Sequence, residues 1–254
     1  MFTKVGDDVF GKDTLENFEK HGLCMDHIHV AKGVSSGVAP IVVDEAGNNS
    51  IIIIGGANDL LSTDEIEAGR EALRGCSVLL CQLELPLALT EKALQVAHEE
   101  GVTTVLNTAP APDPTSPLHS TLNALVNVWC ANEPELEQLT GMPVDTLEAV
   151  ESAARSLVAK GARCVLVTLG SRGALLCDEK QKVSCFPVPE AVQVKDTSGA
   201  GDCFLGAFAY YLDRGMDLTD CVQRAIRVAS LSVQALGTQS SYPSRETLAK
   251  LDLL

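Results

Sequence analysis

Apolar and polar positions along this chain follow two periods in turn, and the switch between them recurs. Met1 to Val5 reads as the end of a strand, Gly6-Asp7-Asp8-Val9-Phe10-Gly11 as a turn, and Asp13 to His21 as a short helix. Ser36 to Asp44 and Ser50 to Ile54 are β-branched runs separated by Glu45-Ala46-Gly47-Asn48-Asn49, the pattern of a hairpin, and Gly55-Gly56-Ala57-Asn58 closes it. From Ser62 onward strands and helices alternate. Ser62-Thr63-Asp64-Glu65 is a capping signal for a helix running to Arg74, followed by strand Ser77 to Leu83, helix Pro86 to Glu100 and strand Val102 to Leu106. A Pro-rich loop, Ala109 to Pro117, leads to strand Leu125 to Cys130. Asn132-Glu133-Pro134-Glu135 opens a helix; a second helix over Thr146 to Lys160, strand Cys164 to Leu169 and a hairpin from Gly173 to Phe186 follow. Asp217 to Leu236 supplies the last long helix. Repeated βα units predict an α/β fold, a doubly wound and largely parallel sheet with helices on both faces, formed by one domain over residues 1–254. Ligands of such sheets bind beyond the carboxyl ends of the strands, which directs the search for a site.

The most informative stretch lies between the hairpin and the last helix. Lys195-Asp196-Thr197-Ser198-Gly199-Ala200-Gly201-Asp202 gives way at once to the apolar run Cys203 to Leu212, so a loop of small residues enters a helix. Gly199 and Gly201 permit close approach to the backbone, and the free N–H groups of a helix start favour an anion. An acid in that first turn, Asp202, can accept a proton from an attacking hydroxyl, which is a phosphoryl-transfer arrangement. Taken alone, a G-x-G-D string is better explained by a tight turn and an acid stabilised by the helix dipole. The G-x-x-x-x-G-K-[ST] phosphate loop and the protein-kinase motifs are absent from the sequence.

Composition narrows the partners. A net charge of −15 and an isoelectric point near 4.7 set the surface against nucleic acid and anionic membrane, so an anionic ligand must be held by local devices. The nine cysteines form no C-x-x-C pair and several lie in apolar runs, which suggests buried thiols in a reducing compartment. Five histidines include one close pair, His27 and His29, a spacing that argues against zinc. With no visible signal peptide and no apolar run of the ~18 residues a membrane span needs, the expected location is cytoplasmic, with nuclear presence left open.

The string D-T-S-G-A-G-D at 196–202, with the small and aromatic helix behind it, resembles the second signature of the ribokinase family of sugar kinases. The resemblance implies a ribokinase-like fold and transfer of the ATP γ-phosphate to the 5-hydroxyl of D-ribose. Asp202 would be the base, itself close to the substrate, and Gly199, Ala200 and Gly201 the anion hole. Asn132 and Glu135 stand at the family's N-x-x-E spacing, which organises magnesium and phosphate; an acidic helix start explains the same residues without a ligand. Thr168-Leu169-Gly170-Ser171-Arg172-Gly173 is similar to the family's T-L-G-x-x-G nucleotide loop, making Thr168, Gly170, Ser171, Arg172 and Gly173 candidates for the ATP side, although an ordinary hairpin turn has this composition too. The resemblance assigns Glu84, after the Cys81-Gln82-Leu83 strand end, to the sugar hydroxyls. It assigns potassium to Asp196, the carbonyl of Ser198, and the late segment Ser232, Ala235, Gly237 and Ser241. Where relatives place an adenine-contacting Asn this chain carries Ile226.

The family's first strand, with its sugar-binding Asp, and its G-G-K-G-x-N signature are not found among the 254 residues. The resulting expectation is an N-terminally truncated kinase domain whose ribose turnover is impaired, with a homodimer expected for the full-length form. Two alternatives stay open: an ATP-binding protein without turnover, and a kinase for another sugar or a nucleoside.

Overall fold

The computed structural model describes residues 1–43, 49–111, 121–189 and 192–254. The predicted hairpin turn over 45–48 and most of the Pro-rich loop therefore lie outside the described residues. Contacts divide the chain into two units, residues 1–75 with 82–101, and residues 76–81 with 102–254.

In the first unit, β1 (Thr3–Gly6) pairs in parallel with β2 (Ile28–Ala31), joined through α1 (Val9–Lys20). The helix begins four residues before the predicted Asp13 because Asp8 is its cap: one carboxylate oxygen accepts the Gly11 N–H at 2.9 Å. The same carboxylate takes the Ser36 N–H at 2.9 Å and the Ser36 hydroxyl at 2.7 Å, pinning the returning chain to the helix start. The β-branched runs form the antiparallel pair β3 (Ile41–Val43) and β4 (Asn49–Ile51). The helix predicted over Ser62 to Arg74 is two pieces, α2 (Thr63–Ala68) and α3 (Arg70–Arg74). Gly69 separates them; a Cβ there would stand 2.0 Å from the Phe2 ring, so the break makes room for an aromatic side chain from the N-terminus. α4 (Leu87–Glu99) packs on α2 and α3, and the Arg70 guanidinium reaches Glu67, Glu99 and Glu100.

The second unit holds a six-stranded sheet of order β10-β9-β8-β7-β6-β5. β5 (Val78–Cys81), β6 (Thr103–Asn107), β7 (Val128–Asn132) and β8 (Val165–Thr168) are parallel. β9 (Ala174–Cys177) and β10 (Val183–Phe186), the predicted hairpin, continue it antiparallel, so the sheet is mixed at one end. Period-two alternation assigns the faces. Cys130, Leu166 and Leu176 point into one core with Phe204, Phe208 and Val222 from α7 (Ala200–Asp213) and α8 (Leu218–Ser232). Val165, Val167 and Leu175 are equally buried but outside that core, on the side where α6 (Leu147–Ala159) packs on β8 and β9. Helices thus cover both faces, which is why these strands are apolar on both. The predicted last helix stops at Ser232, and α9 (Arg245–Lys250), capped by Ser244, follows it. Among the described residues no helix is long and apolar enough to cross a membrane.

Candidate active site

The turn into α7 has the geometry its glycines suggest. Gly199 is the N-cap with φ of 72°, a left-handed conformation that glycine adopts without a Cβ penalty. Its carbonyl accepts the Cys203 N–H at 2.9 Å, and Ala200 N–H reaches back to the Thr197 carbonyl at 3.2 Å. Among the described residues, the N–H groups of Gly201 and Asp202 meet no protein acceptor. A Cβ on Gly201 would meet nothing within 4 Å, so the backbone there is open to an incoming group. These are the donors a helix start offers to an anion.

Asp202 stands in that first turn and lines a cavity of about 280 Å³ together with Cys203, Gly206, Tyr210, Tyr242 and Leu254 among others. The residue as a whole is exposed, yet the apolar mass beneath its carboxyl removes enough water to raise its pKa above the ordinary carboxylate value of 3.8. A carboxylate with a raised pKa beside two unpaired N–H groups suits proton acceptance next to a bound phosphate.

Behind the turn, Asp196 ties two distant segments. One oxygen accepts the Ser198 N–H at 2.9 Å and the other the Gly237 N–H at 2.8 Å, bonds that hold its pKa below the usual value. Gly237 has φ of 95°, and Ser241 returns its hydroxyl to the Thr238 carbonyl at 2.7 Å. Ser232 is buried with its hydroxyl donated to the Ala229 carbonyl at 2.9 Å, and Ala235 N–H bonds the Ser232 carbonyl at 3.3 Å. Asp196, Ser198 and Gly237 are thus linked by hydrogen bonds, while Ser232, Ala235 and Ser241 lie along the same late segment.

At the sheet, Asn132 ends β7 and caps α5 (Glu133–Thr140). Glu135 N–H bonds the Asn132 amide oxygen at 2.8 Å, and the Glu135 carboxylate accepts the Asn132 backbone N–H at 2.9 Å and its side-chain amide at 2.8 Å. The N-x-x-E spacing is therefore a reciprocal capping box. Burial raises the Glu135 pKa despite the opposing bonds from Asn132 and Thr108. Thr168 pairs in register with Asn132, which sets the nucleotide-loop candidate beside the N-x-x-E element. That loop is a 3-10 turn, Gly170–Arg172, closed by Leu169 N–H to the Gly173 carbonyl at 2.8 Å. Arg172 pairs with Glu133, so the loop's cation is joined to the acidic helix start. Ser171 is exposed in the turn.

Glu84 lies in the bend after β5, in the first unit, and is exposed. Ile226 is buried in the core between α7 and α8 and presents no polar group there. Two residues that motif reading passed over also belong to these clusters. Thr108, one position beyond β6, bonds Glu135, and its place after a strand end was the available signal. The Tyr242 hydroxyl donates to the Gly199 carbonyl at 3.1 Å across 43 positions, for which the sequence carried no signal.

Residues 1–245 match the pfkB family carbohydrate kinase pattern. The chain belongs to this family. The deoxyribokinase of Salmonella typhi is 42% identical over 247 residues, covering 97% of this chain and 79% of the relative. The ribokinase of Mus musculus is 36% identical, covering 96% of this chain and 76% of the relative. Among solved structures, Arabidopsis thaliana ribokinase complexed with ribose and ATP superposes with a TM-score of 0.88 at 32% identity, covering 98% of this chain and 80% of that one. The protein is accordingly a carbohydrate kinase of the pfkB family with a ribokinase-like fold.

Proposed function

We propose that this pfkB family kinase transfers the γ-phosphoryl group of ATP to O5 of D-ribose, giving D-ribose 5-phosphate and ADP. The observation that carries the reading is Asp202 in the first turn of α7 beside the acceptor-free N–H groups of Gly201 and Asp202. The Asp202 carboxylate takes the proton of the sugar hydroxyl as its oxygen attacks the γ-phosphorus. The bond from that phosphorus to the β,γ-bridging oxygen breaks, and ADP leaves with the electron pair. The Gly201 and Asp202 N–H groups donate to the transferring phosphoryl oxygens, where charge is concentrated in the transition state. Ala200 and Gly199 shape the hole, Thr168, Gly170, Ser171, Arg172 and Gly173 face the nucleotide, and Glu84 accepts sugar hydroxyls.

Two cations fit the donor chemistry. Glu135 offers two carboxylate oxygens whose remaining lone pairs suit a hard ion, so Glu135 and Asn132 would hold magnesium, which neutralises phosphate charge. The Ser232 and Ser241 hydroxyls give their protons to carbonyls; their oxygens, with those of Asp196, Ser198, Ala235 and Gly237, are of the donor type that would suit potassium.

A second reading, phosphorylation of a deoxyribose, draws support from the 42% identity to a deoxyribokinase. Steady-state kinetics with D-ribose, 2-deoxy-D-ribose, D-fructose and adenosine at saturating ATP tests both. A site that hydrogen-bonds the 2-hydroxyl prefers ribose strongly, because the deoxy analogue leaves that group's partner unpaired. A higher kcat/KM for deoxyribose would replace ribose as substrate; a preference for fructose or adenosine would overturn the pentose reading.

A further inference from the structure

We propose that Tyr242 is a positioning residue for the phosphate-binding turn, acting through the carbonyl of Gly199. This rests on the phosphoryl-transfer reading of the α7 turn and assigns it a further working part. The Tyr242 hydroxyl donates to the Gly199 carbonyl at 3.1 Å, and the same carbonyl accepts the Cys203 N–H at 2.9 Å that closes the first turn of α7. Two donors on one carbonyl fix the plane of the Gly199–Ala200 peptide. The next two N–H groups along the chain, those of Gly201 and Asp202, take their directions from it.

Gly199 serves this contact in two ways. Its φ of 72° is a glycine conformation, and a Cβ placed on it would stand 2.8 Å from the Tyr242 hydroxyl oxygen and 3.3 Å from Thr238 Cβ. The phenol therefore fills the space a side chain at 199 would take. Its own loop is braced: Ser241 gives both its N–H and its hydroxyl to the Thr238 carbonyl, at 3.0 and 2.7 Å, and Tyr242 N–H bonds the Gln239 carbonyl at 3.3 Å. The other end of the turn is tied to the same loop, through Gly237 N–H on Asp196 at 2.8 Å. Residues 196 to 199 are thus clamped at both ends by residues 237 to 242, with Tyr242 as the clamp nearest the anion-facing donors. Tyr242 and Asp202 also line the same cavity.

The test is Tyr242→Phe, which keeps the ring and removes one hydroxyl. Two quantities are measured in parent and variant: kcat and KM for pentose and ATP, and the deuterium-exchange rate of the Cys203 amide. The expected result is a kcat lower by roughly three- to tenfold, the size of one neutral hydrogen bond, with both KM values unchanged. Faster exchange at Cys203 should accompany it, with a melt that stays cooperative and falls by only a few degrees, as loss of one hydrogen bond requires. A purely structural tyrosine would shift the melt and leave the split between kcat and KM unmoved. An active parent whose Phe variant retains full kcat overturns the proposal. A parent with no turnover on any sugar sinks the phosphoryl-transfer reading; exchange then decides the positioning role alone, with a parental Cys203 rate in the variant counting against it and a faster rate for it.

Discussion

Replacing Gly199 with alanine tests how much of the proposed phosphate-binding turn depends on one missing side chain. Two costs arise from the geometry. Alanine at φ of 72° pays about 1–2 kcal/mol for the left-handed conformation. Its Cβ would also lie 2.8 Å from the Tyr242 hydroxyl oxygen, so the phenol must withdraw and release a hydrogen bond worth about 0.5–1.5 kcal/mol. The combined perturbation of about 1.5–3.5 kcal/mol is below the ~5–15 kcal/mol that holds a domain folded, so the variant should fold. Its cost then appears in one of two places. If the turn keeps its shape, the melting temperature falls; if it relaxes, the Gly201 and Asp202 donors move and kcat falls by up to roughly 10- to 400-fold. Measuring the melt and steady-state kinetics on the same preparation captures both. Combining Gly199→Ala with Tyr242→Phe should recover part of the loss, because the clash partner is gone while the backbone strain remains. Parental melting and parental kcat in Gly199→Ala would refute the reasoning outright, and strict additivity in the double variant would refute the contact.

Asp202→Asn keeps shape and removes the base, so kcat should fall by roughly 10²–10⁴ with ATP affinity little changed by calorimetry; activity within a few-fold of the parent would take Asp202 out of the mechanism. Because burial raises the Asp202 pKa above 3.8, its carboxylate protonates earlier as the solution is acidified, and kcat/KM should decline on an acid limb centred above pH 3.8; a profile still flat at that pH would contradict the assignment. Gly173→Ala should destabilise by about 2–4 kcal/mol in urea unfolding, since φ is 95° and the new Cβ would sit 1.9 Å from the Phe186 carbonyl oxygen; an unchanged midpoint would show that the β8–β9 turn tolerates a side chain. If Asp196 and the Gly237 segment hold potassium, kcat or ATP affinity should rise when potassium replaces sodium at constant ionic strength, and indifference to the ion would reject that site.

The parallel strands and their helices were readable because they carry their own periods and several of the helices their own caps. Ser62 with Glu65, Thr146 before α6, and Asp217 before α8 are local signals, and the helices begin where they stand. Errors fall where a distant residue decides. Within Ser62 to Arg74 only Gly69 itself hints at the break, and the ring of Phe2 that fills the space beside it comes from far along the chain. β2 escaped notice because Ile28–Ala31 is four residues long and is made a strand by its parallel partner β1 rather than by strong alternation. The helix predicted to Leu236 ends at Ser232, where the carbonyl of the next residue, Val233, turns to accept the Lys195 and Asp196 N–H groups.

The candidate site divides along the same line. Residues 196 to 202 are contiguous, and the need for small residues, a free helix start and an acid in the first turn is written in seven consecutive positions. The strand-end elements were found by spacing, yet their meaning needed coordinates. Asn132 and Glu135 spend their side chains on each other's backbone, so the N-x-x-E motif is a helix cap, and under the proposed magnesium role the same carboxylate would also face a cation. That double use has a physical reason: a capped helix start fixes the carboxylate in one rotamer, and a fixed carboxylate loses less entropy when it engages an ion than a free one does. Tyr242 shows the opposite limit. Its bond to Gly199 crosses 43 positions and involves a main-chain carbonyl, so no side-chain pattern at either end announces it. The glycine required at 199 is visible in the sequence; the phenol that occupies the vacated space becomes visible only when the two loops are brought together.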